Sequence, residues 1–226
     1  MVVIPYKFKD KDALRKWLWK YLSDYHLTMQ PRPCYARIPS FKAVELAVRR
    51  LVAEPAWKDA DTVVISADEV TFHARWEAIK DGKRLIVPIP RGDRAHLVEG
   101  IAPANAQVAA MMKEIGKFSS DIPLTRAGDA PLLITGALSV DRFGNWLGQG
   151  EVFGELAPEI TQKGGLLDTA TRIALVDDFQ IFEDFTYLTS PDDLPVHRIV
   201  TKTQVVLPKP PEDPPLETPD APITLR

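Results

Sequence analysis

The chain has very little cysteine and histidine, and this scarcity excludes several kinds of site. Its 226 residues include one cysteine, Cys34, and four histidines. A single thiol cannot form an internal disulfide, and it rules out a zinc site built from paired cysteines. The histidines, at positions 26, 73, 96 and 197, do not have the spacing of metal ligands. The sequence therefore predicts no site based on cysteine or histidine ligation.

Long apolar runs and a strong net charge are also missing. No run of about 18 apolar residues is present, so we expect no membrane-spanning helix. The apolar region at the N-terminus is too short for a secretory signal peptide. The formal net charge is −3, which gives no reason to expect general nucleic-acid binding. We therefore expect a cytoplasmic protein that binds neither membranes nor nucleic acids.

The composition indicates one globular domain followed by an extension. Apolar residues make up 45% of the chain, which suffices for a packed core. Residues 208–226 hold seven of the twenty prolines, and such a segment favours extended conformations that cannot build a core. We predict a domain over residues 1–207 and a Pro-rich tail over residues 208–226. The tail either drapes loosely or contacts a second copy in a homo-oligomer.

Apolar runs alternate with helical patterns along the predicted domain. Asp10 is placed to cap a first helix, which carries its apolar residues at three- and four-residue spacing up to residue 25. Further predicted helices cover residues 43–53, 72–80 and 105–115, and predicted strands cover residues 62–66, 84–88, 131–138, 172–176 and 199–206. Apolar strands separated by helices indicate an α/β fold with a mainly parallel sheet and helices on both faces.

Ligands of open α/β sheets bind beyond the carboxyl ends of the strands, which directs attention to the loops there. The segment 141–155 (DRFGNWLGQGEVFGE) lies between a predicted strand and a segment that can form a helix. Backbone N–H groups can approach an anion closely where glycine has no Cβ, and a helix N-terminus adds partial positive charge. This segment therefore predicts a phosphate or nucleotide site. The acid-rich loop 177–193 either holds Mg²⁺ or only solubilises the chain.

Four sequence features occur in a fixed order between residues 11 and 201. They are residues 11–15 (KDALR), residues 31–42 (PRPCYARIPSFK), residues 82–91 (GKRLIVPIPR), and residues 144–150 (GNWLGQG) followed by residues 193–201 (DLPVHRIVT). They resemble four motifs of the 5-formyltetrahydrofolate cyclo-ligase family. In the same order, these are K-x-x-L-R, R-I-P-x-F-K, G-K…P-x-P-R, and G-x-R-L-G-x-G followed by H-D…I-V-T. The likeness is nearest to its branch of methenyltetrahydrofolate-synthetase-domain proteins.

This resemblance implies a Rossmann-like, CoA-transferase-like fold and a defined reaction. Members of the family use ATP and Mg²⁺ to phosphorylate the formyl oxygen of 5-formyltetrahydrofolate. A neighbouring folate nitrogen then closes the ring of 5,10-methenyltetrahydrofolate, and phosphate leaves. Such chemistry depends mainly on positioning and charge neutralisation. The implied ligands are ATP, Mg²⁺ and a reduced folate.

The resemblance also implies roles for individual residues. Lys11 and Arg15 would hold the ATP phosphates, together with the loop formed by Gly148, Gln149 and Gly150. Two carboxylates, Glu155 and Asp193, would hold Mg²⁺. Phe153 stands where a tyrosine of the family contacts the folate, so Phe153 and Glu155 are the catalytic candidates.

The glycine loop differs from the family pattern R-L-G-x-G-x-G-Y-x-D at four positions. Trp146 replaces the arginine, Val152 the third glycine, Phe153 the tyrosine and Glu155 the aspartate. Trp146 removes a cation, Val152 removes a position at which glycine tolerates positive φ, and Phe153 lacks the tyrosine hydroxyl. Glu155 carries its carboxylate on a longer side chain than aspartate. Two hypotheses follow. The first is an active cyclo-ligase. The second is a paralogue without phosphoryl transfer that binds a nucleotide, a folate or another heterocycle, such as a thiamin-related one. A third is an interaction protein whose tail binds a partner.

Overall fold

The computed structural model describes residues 7–29, 33–89, 92–127, 130–148, 170–190 and 193–209. The helices in these residues are α1 (Lys11–Asp24), α2 (Val44–Ala53), α3 (Pro55–Asp59), α4 (Phe72–Lys80) and α5 (Ala106–Ala109), with short 3₁₀ helices at Glu69–Thr71, Pro103–Asn105, Ile115–Lys117, Leu124–Ala127, Asp178–Gln180 and Thr186–Leu188. The strands are β1 (Thr62–Ile65), β2 (Arg84–Pro88), β3 (Arg94–Val98), β4 (Ser120–Pro123), β5 (Leu132–Gly136), β6 (Ser139–Asp141), β7 (Trp146–Leu147), β8 (Thr171–Leu175), β9 (Ile181–Phe182), β10 (Arg198–Val200) and β11 (Val205–Val206).

An eight-stranded sheet in the order β11-β10-β8-β5-β1-β2-β3-β4 forms the centre of the fold. The five strands from β10 to β2 are parallel to one another, whereas β11, β3 and β4 join antiparallel at the two edges. The predicted α/β class with a mainly parallel sheet is confirmed. Central strands of this kind are buried on both faces, which explains why they appear in the sequence as continuous apolar runs.

The two faces of the sheet pack against different parts of the chain. Alternate side chains of a strand point to opposite faces, so Val63 and Ile65 lie on one side of β1 and Val64 lies on the other. The side of Val63 forms one apolar cluster with buried residues of all five described α-helices. The side of Val64 packs against the segment around β4 and against Trp146 and Leu194, which are partly buried there.

The first helix forms as its sequence predicts. The Asp10 side chain accepts a hydrogen bond from the Ala13 N–H at 2.7 Å and so caps α1. Leu14, Leu18 and Leu22 recur on one face and are buried in the main cluster. The predicted bounds of α4 and β2 also agree with the structure.

The helix predicted over residues 105–115 is wrong beyond Ala109, where the Met111 N–H bonds to the Val108 carbonyl and no longer to that of Gln107. The α5 helix covers only Ala106–Ala109. A longer helix would bond the Ala110 carbonyl to the Glu114 N–H, but that carbonyl accepts the Nε–H of buried Arg75 at 3.0 Å. The Glu114 N–H bonds to Met111 instead. Asn105 provides no side-chain cap, and Gly116 lies within the following 3₁₀ helix.

The strand predicted over residues 199–206 is two short antiparallel strands, β10 and β11. The hydroxyl of Thr201 accepts the backbone N–H groups of Thr203 and Gln204, both at 3.1 Å, which folds the chain into a turn. Arg94–Val98, which lie between the predicted strand at 84–88 and the predicted helix at 105–115, form a further strand, β3, which pairs antiparallel with β2.

A second, three-stranded sheet in the order β7-β6-β9 continues from the end of β5. Leu147 of β7 and Phe182 of β9 pack into the same cluster as α1. This sheet therefore brings the residues after β7 next to the helix that carries Lys11 and Arg15. Within the described residues, no helix has the length and apolar composition that crossing a membrane requires.

Candidate functional site

The part of the glycine loop that the structure describes is a tight β-hairpin, organised by Asp141. One carboxylate oxygen of Asp141 accepts the backbone N–H groups of Phe143 at 2.9 Å and Asn145 at 3.0 Å. The other accepts the Asn145 amide at 2.8 Å and the Phe185 N–H at 3.1 Å. Because both oxygens serve these donors, Asp141 acts as the internal anchor between the hairpin and the chain after β9.

The segment 193–196 is fastened along this hairpin. The Val196 N–H donates to the Gly144 carbonyl at 2.8 Å, and the Trp146 indole N–H donates to the Leu194 carbonyl at 2.9 Å. Gly144 has φ +89°, and a Cβ at this position would lie 2.5 Å from the Val196 carbonyl oxygen. Glycine is therefore required here both for the backbone conformation and for the close approach of the segment.

Four of the residues predicted to bind phosphate or metal lie together at this hairpin. Arg15 is 8% exposed, and its Nε–H donates to the Gly148 carbonyl at 3.0 Å. Lys11, one turn earlier on α1, forms an ion pair with Oδ2 of Asp193. The tertiary structure therefore joins the start of α1, the end of β7 and the chain before β10 in one cluster.

This cluster still presents groups that a ligand can use. Nη1 of Arg15 lies 2.5 Å from Oδ1 of Asp12, and Nη2 donates to none of the residues that the structure describes. Oδ2 of Asp193 accepts the Ser190 N–H at 2.7 Å in addition to Lys11. Oδ1 of Asp193 accepts no hydrogen bond within the described part of the chain. A guanidinium N–H and a carboxylate oxygen are suited to a phosphate and to a hard cation, respectively.

A cavity of about 310 Å³ lies beside the loop that follows β1. It combines aromatic rings with side chains of both charge signs, among them Phe41, Lys42, Glu45, Glu69, Phe72 and His73. Nε2 of His73 lies 3.4 Å from a carboxylate oxygen of Glu45. Such a mixture suits a flat heterocycle that carries polar groups at its edge. The Phe41–Lys42 wall belongs to the R-I-P-x-F-K motif.

The comparison with protein-family models is decisive for the identity of this fold. The model of the 5-formyltetrahydrofolate cyclo-ligase family matches residues 7–202. The chain belongs to this family. The match covers every described strand except β11 and includes Lys11, Arg15, Gly148 and Asp193.

Curated relatives and a solved structure agree with the family. The chain is 27% identical over 203 residues to the methenyltetrahydrofolate synthase domain-containing protein of Bos taurus and 26% identical over 203 residues to that of Homo sapiens, covering 87% of this chain in each case. It spans about half the length of these relatives, 53% of each. The structure of Aquifex aeolicus 5,10-methenyltetrahydrofolate synthetase has a TM-score of 0.57 at 16% identity, covering 92% of this chain and 100% of that one. The last likeness shows the shared fold.

In this member of the cyclo-ligase family, Trp146 has a structural partner in place of a charge. The family motif has an arginine at this position, whereas the indole N–H of Trp146 is engaged by the Leu194 carbonyl. The ring packs partly against two apolar clusters on the Val64 side of the sheet, the one that contains Val64 and a second that contains Ala174 and Ile199. The substitution thus replaces a cation with a hydrogen bond that holds the chain next to Asp193.

Several residues predicted for the cyclo-ligase site lie outside the described residues. These are Gln149, Gly150, Phe153 and Glu155, so their roles stay predictions. Among the described residues, no three acidic, histidine or cysteine side chains come together as a metal site would require. Asp193, with its unused Oδ1, fits one ligand position of Mg²⁺.

Two acidic residues of the loop 177–193 have structural partners in this cyclo-ligase fold. Asp177 is buried and pairs with Lys202 at 2.7 Å. Oδ1 of Asp178 accepts the hydroxyls of Thr201 at 2.7 Å and Thr203 at 2.6 Å. These two carboxylates join the chain after β8 to the turn after β10. Asp177 and Asp178 therefore have a structural role and are not merely solubilising residues.

The sequence reasoning missed a buried polar cluster around Arg75. Its guanidinium, which is 1% exposed, donates to the Ser66 carbonyl at 2.7 Å, the Asp68 carbonyl at 2.9 Å and the Thr71 hydroxyl at 2.8 Å. Burial lowers the pKa of Arg75 to about 10, although Asp68 opposes this shift. The signal in the sequence was an arginine on the apolar face of α4, between Ala74 and Ala78. Arg75 fixes the loop that borders the cavity.

Asp68 is the second member of this cluster. Its Oδ2 is buried and has no hydrogen-bond partner among the described residues. It lies at the carboxyl end of β5, where a Cβ on Gly136 would be 3.3 Å from it. Burial raises the pKa of the Asp68 carboxyl above its ordinary value, against the opposing influence of Ser66 and Arg75.

Proposed function

We propose that this protein is an ATP- and Mg²⁺-dependent cyclo-ligase that converts 5-formyltetrahydrofolate to 5,10-methenyltetrahydrofolate. One observation supports the proposal above all others. Lys11, Arg15, Gly148 and Asp193, which the family motifs assign to phosphate and metal, lie in one cluster although they come from distant parts of the chain. Membership of the family supports the choice of this reaction, and the cluster supports its location in the chain.

The cluster supplies positioning and positive charge. Arg15 is largely buried and is held by Gly148 and Asp12, so its guanidinium has a fixed direction before a ligand arrives. Lys11 adds a second cation one turn away. Cations held in advance stabilise the charge that develops on a transferred phosphoryl group, and they need no reorganisation during the reaction. Asp193, with Glu155 as the second predicted carboxylate, would hold Mg²⁺, which supplies further charge neutralisation.

The cavity beside the loop after β1 is the proposed place for the reduced folate. The Phe72 ring offers a face for a heterocycle, and the carboxylates of Glu45 and Glu69 can accept its N–H groups. Lys42 can pair with the carboxylates of the glutamate portion. This cavity adjoins the loop at the carboxyl end of the parallel strand β1, the usual place for ligands in such sheets.

A spectroscopic assay tests this function. Purified protein with ATP, Mg²⁺ and 5-formyltetrahydrofolate should produce the ultraviolet absorbance of methenyltetrahydrofolate. Arg15→Ala should lower kcat/KM by about 100-fold, a typical effect of removing one fixed donor from a developing charge. Lys20→Ala is the matched control, because Lys20 is an exposed cation on the same helix that pairs with Asp24. Product formation no faster than with denatured protein would reject the proposal.

Ligand binding without turnover is the second candidate, and Trp146 favours it. A neutral indole stands at the arginine position of the family motif, so one cation for the phosphates is absent. The ligand would be a nucleotide, a reduced folate or another heterocycle. Calorimetric titration that detects such binding, combined with an absorbance assay that detects no product, distinguishes this candidate from the active enzyme.

A further inference from the structure

A row of aromatic rings runs along one face of α1 and reaches solvent. The ring centroids of Trp17 and Tyr21 lie 5.2 Å apart in a stacked arrangement, and those of Tyr21 and Tyr25 lie 4.9 Å apart. Trp17 and Tyr21 pack with one side on the main apolar cluster, whereas Tyr25 is 68% exposed. We call these three residues the aromatic row. Rings that already pack on one another lose little conformational entropy when a further group binds to them.

Positive charge borders the aromatic row. Lys16 and Lys20 directly precede Trp17 and Tyr21, and both lysines are exposed. Lys20 pairs with Asp24, whereas Lys16 has no ion-pair partner within the part of the chain that the structure describes. An aromatic surface with cations at its border is suited to an extended segment that carries both proline rings and carboxylates.

The start of the Pro-rich tail lies close to the aromatic row. The Lys209 N–H donates to the Arg142 carbonyl at 2.9 Å, at the turn of the β6–β7 hairpin. Nη1 of Arg142 lies 3.6 Å from a carboxylate oxygen of Glu183. The residue before it, Phe182, has its ring centroid 6.4 Å from that of Trp17. Lys209, the last described residue, is therefore connected to the row through a short series of contacts.

The sequence beyond Lys209 has the chemistry and the length to occupy the row. Residues 210–226 lie outside the described residues, and they contain six prolines, four acidic residues and one arginine, so they hold the whole formal net charge of −3. The spacing P-x-x-P, which aromatic-lined surfaces recognise, occurs at Pro211–Pro214 and at Pro219–Pro222. In an extended conformation this segment spans roughly 50 Å, whereas α1 is only about 20 Å long.

We propose that the aromatic row is the docking site for the chain's own Pro-rich segment 210–226. Its proline rings pack on Tyr21 and Tyr25, and its carboxylates face Lys16. Because the segment is tethered at Lys209, its effective concentration at the row is on the order of 1 mM, and a contact with a Kd of about 1 mM is occupied in about half of the molecules. The docking does not depend on which reaction the cyclo-ligase site performs.

Nuclear magnetic resonance on the full chain, with a nitroxide spin label at residue 218, tests this docking. Thr218→Cys provides the labelling position and leaves both P-x-x-P steps intact, and Cys34 is 2% exposed, so it does not compete for the label. A nitroxide broadens the signals of nearby protons. The indole N–H signal of Trp17 should therefore lose about half of its intensity compared with the reduced label. Trp57 should keep its intensity, because it is buried at the amino ends of β1 and β2, where its carbonyl accepts the Lys83 ammonium.

Two substitutions of exposed tyrosines separate the aromatic row from the rest of the surface. Tyr25→Ala removes the exposed end of the row and should lower the docking equilibrium constant about threefold, as expected for one lost ring contact. Tyr35→Ala is the matched control, because Tyr35 is 51% exposed and contacts Trp19, which is about half a turn of α1 away from Trp17. It should leave the broadening of the Trp17 signal unchanged.

A mixed sample identifies the chain that supplies the segment. Isotope-labelled protein without the nitroxide is mixed with spin-labelled protein of natural isotope abundance. The Trp17 signal should stay sharp in this mixture, because the docking takes place within one chain.

Three results would overturn the inference. They are a loss of Trp17 intensity no larger than that of Trp57, equal effects of Tyr25→Ala and Tyr35→Ala, and broadening of Trp17 in the mixed sample, which would assign the row to the tail of a second copy. The measurement contains neither ATP nor folate. Failure of ring closure would therefore reject the proposed function and leave the docking standing.

Discussion

The indole N–H of Trp146 donates to the carbonyl of Leu194 at 2.9 Å, immediately beside Asp193. This bond crosses from the β6–β7 hairpin to the chain that enters β10. The sequence comparison treats Trp146 as the loss of a cation. In the structure, Trp146 also adds a hydrogen bond, which fixes the position of Leu194 next to the predicted metal ligand Asp193.

Removing only this hydrogen bond should loosen the segment that carries Asp193. Trp146→Phe keeps an aromatic ring but loses the N–H, so the free energy of unfolding should fall by about 1 kcal/mol for the lost bond. Mg²⁺-dependent binding of ATP, measured by calorimetric titration, should weaken together with it. Trp19→Phe is the control, because Trp19 also donates to a carbonyl, that of Arg37 at 3.0 Å, away from Asp193. Equal Mg²⁺ dependence in both variants would contradict the positioning role.

The turn of the hairpin should tolerate no side chain. Gly144→Ala should lower the free energy of unfolding by about 2–4 kcal/mol, since it combines positive φ with a 2.5 Å approach to the Val196 carbonyl. Gly82→Ala separates the two causes, because Gly82 has φ +70° but nothing lies within 4 Å of its Cβ position. It should cost only about 1 kcal/mol. Chemical denaturation of both variants measures the difference, and equal losses would show that the close contact does not matter.

Asp68 should make the protein less stable as the pH rises. Its pKa in the folded state lies above the ordinary value of 3.8, because its carboxyl is buried. The neutral form therefore favours folding, and its contribution is complete below pH 3.8 and is lost as the pH rises through the folded pKa. Asp68→Asn, which stays neutral, should not show this loss. The free energy of unfolding of the original protein, measured from pH 3 to pH 8, should therefore fall with rising pH relative to that of Asp68→Asn. Asp59→Asn, the same change at an exposed aspartate, serves as the control. A constant or rising difference would contradict the raised pKa.

The start of the Pro-rich extension should protect the hairpin. The Lys209 N–H donates to the Arg142 carbonyl at 2.9 Å, and Pro208 lies against Gly144, 3.1 Å from the position that a Cβ would take. A chain that ends after Leu207 should exchange the amide hydrogens of the hairpin roughly fivefold faster than one that ends after Lys209, which corresponds to one hydrogen bond. Hydrogen-exchange mass spectrometry measures this. Identical exchange in the two truncations would show that the contact contributes nothing.

Regular, locally determined elements were predictable from the sequence. The spacing of Leu14, Leu18 and Leu22 indicated α1, and Asp10 indicated where the helix begins. Continuous apolar runs gave β1, β2, β5 and β8 within a residue or two. Their alternation with helices gave the mainly parallel sheet. Such patterns are readable because burial of one face repeats with the period of the backbone.

Elements that depend on distant partners were not predictable. The helix predicted up to residue 115 ends at Ala109, and the Ala110 carbonyl accepts a hydrogen bond from Arg75 of another helix. The strand predicted over residues 199–206 folds back because the Thr201 hydroxyl binds two backbone N–H groups. The strands β3 and β4 at one end of the sheet lack the continuous apolar runs of the centre, and the edge strand β4 is mostly exposed.

The sequence by itself determined the fold class and the family, and it predicted the residues of the candidate site. The order of the motifs contains that information, and it names Lys11, Arg15, Gly148 and Asp193 without stating where they meet. Only the tertiary structure decided that Lys11 faces Asp193, that Arg15 faces Gly148 and that Trp146 holds Leu194. The physical reason is that hydrogen bonds and ion pairs act over a few ångströms in space, whereas these partners are separated by up to 182 positions along the chain.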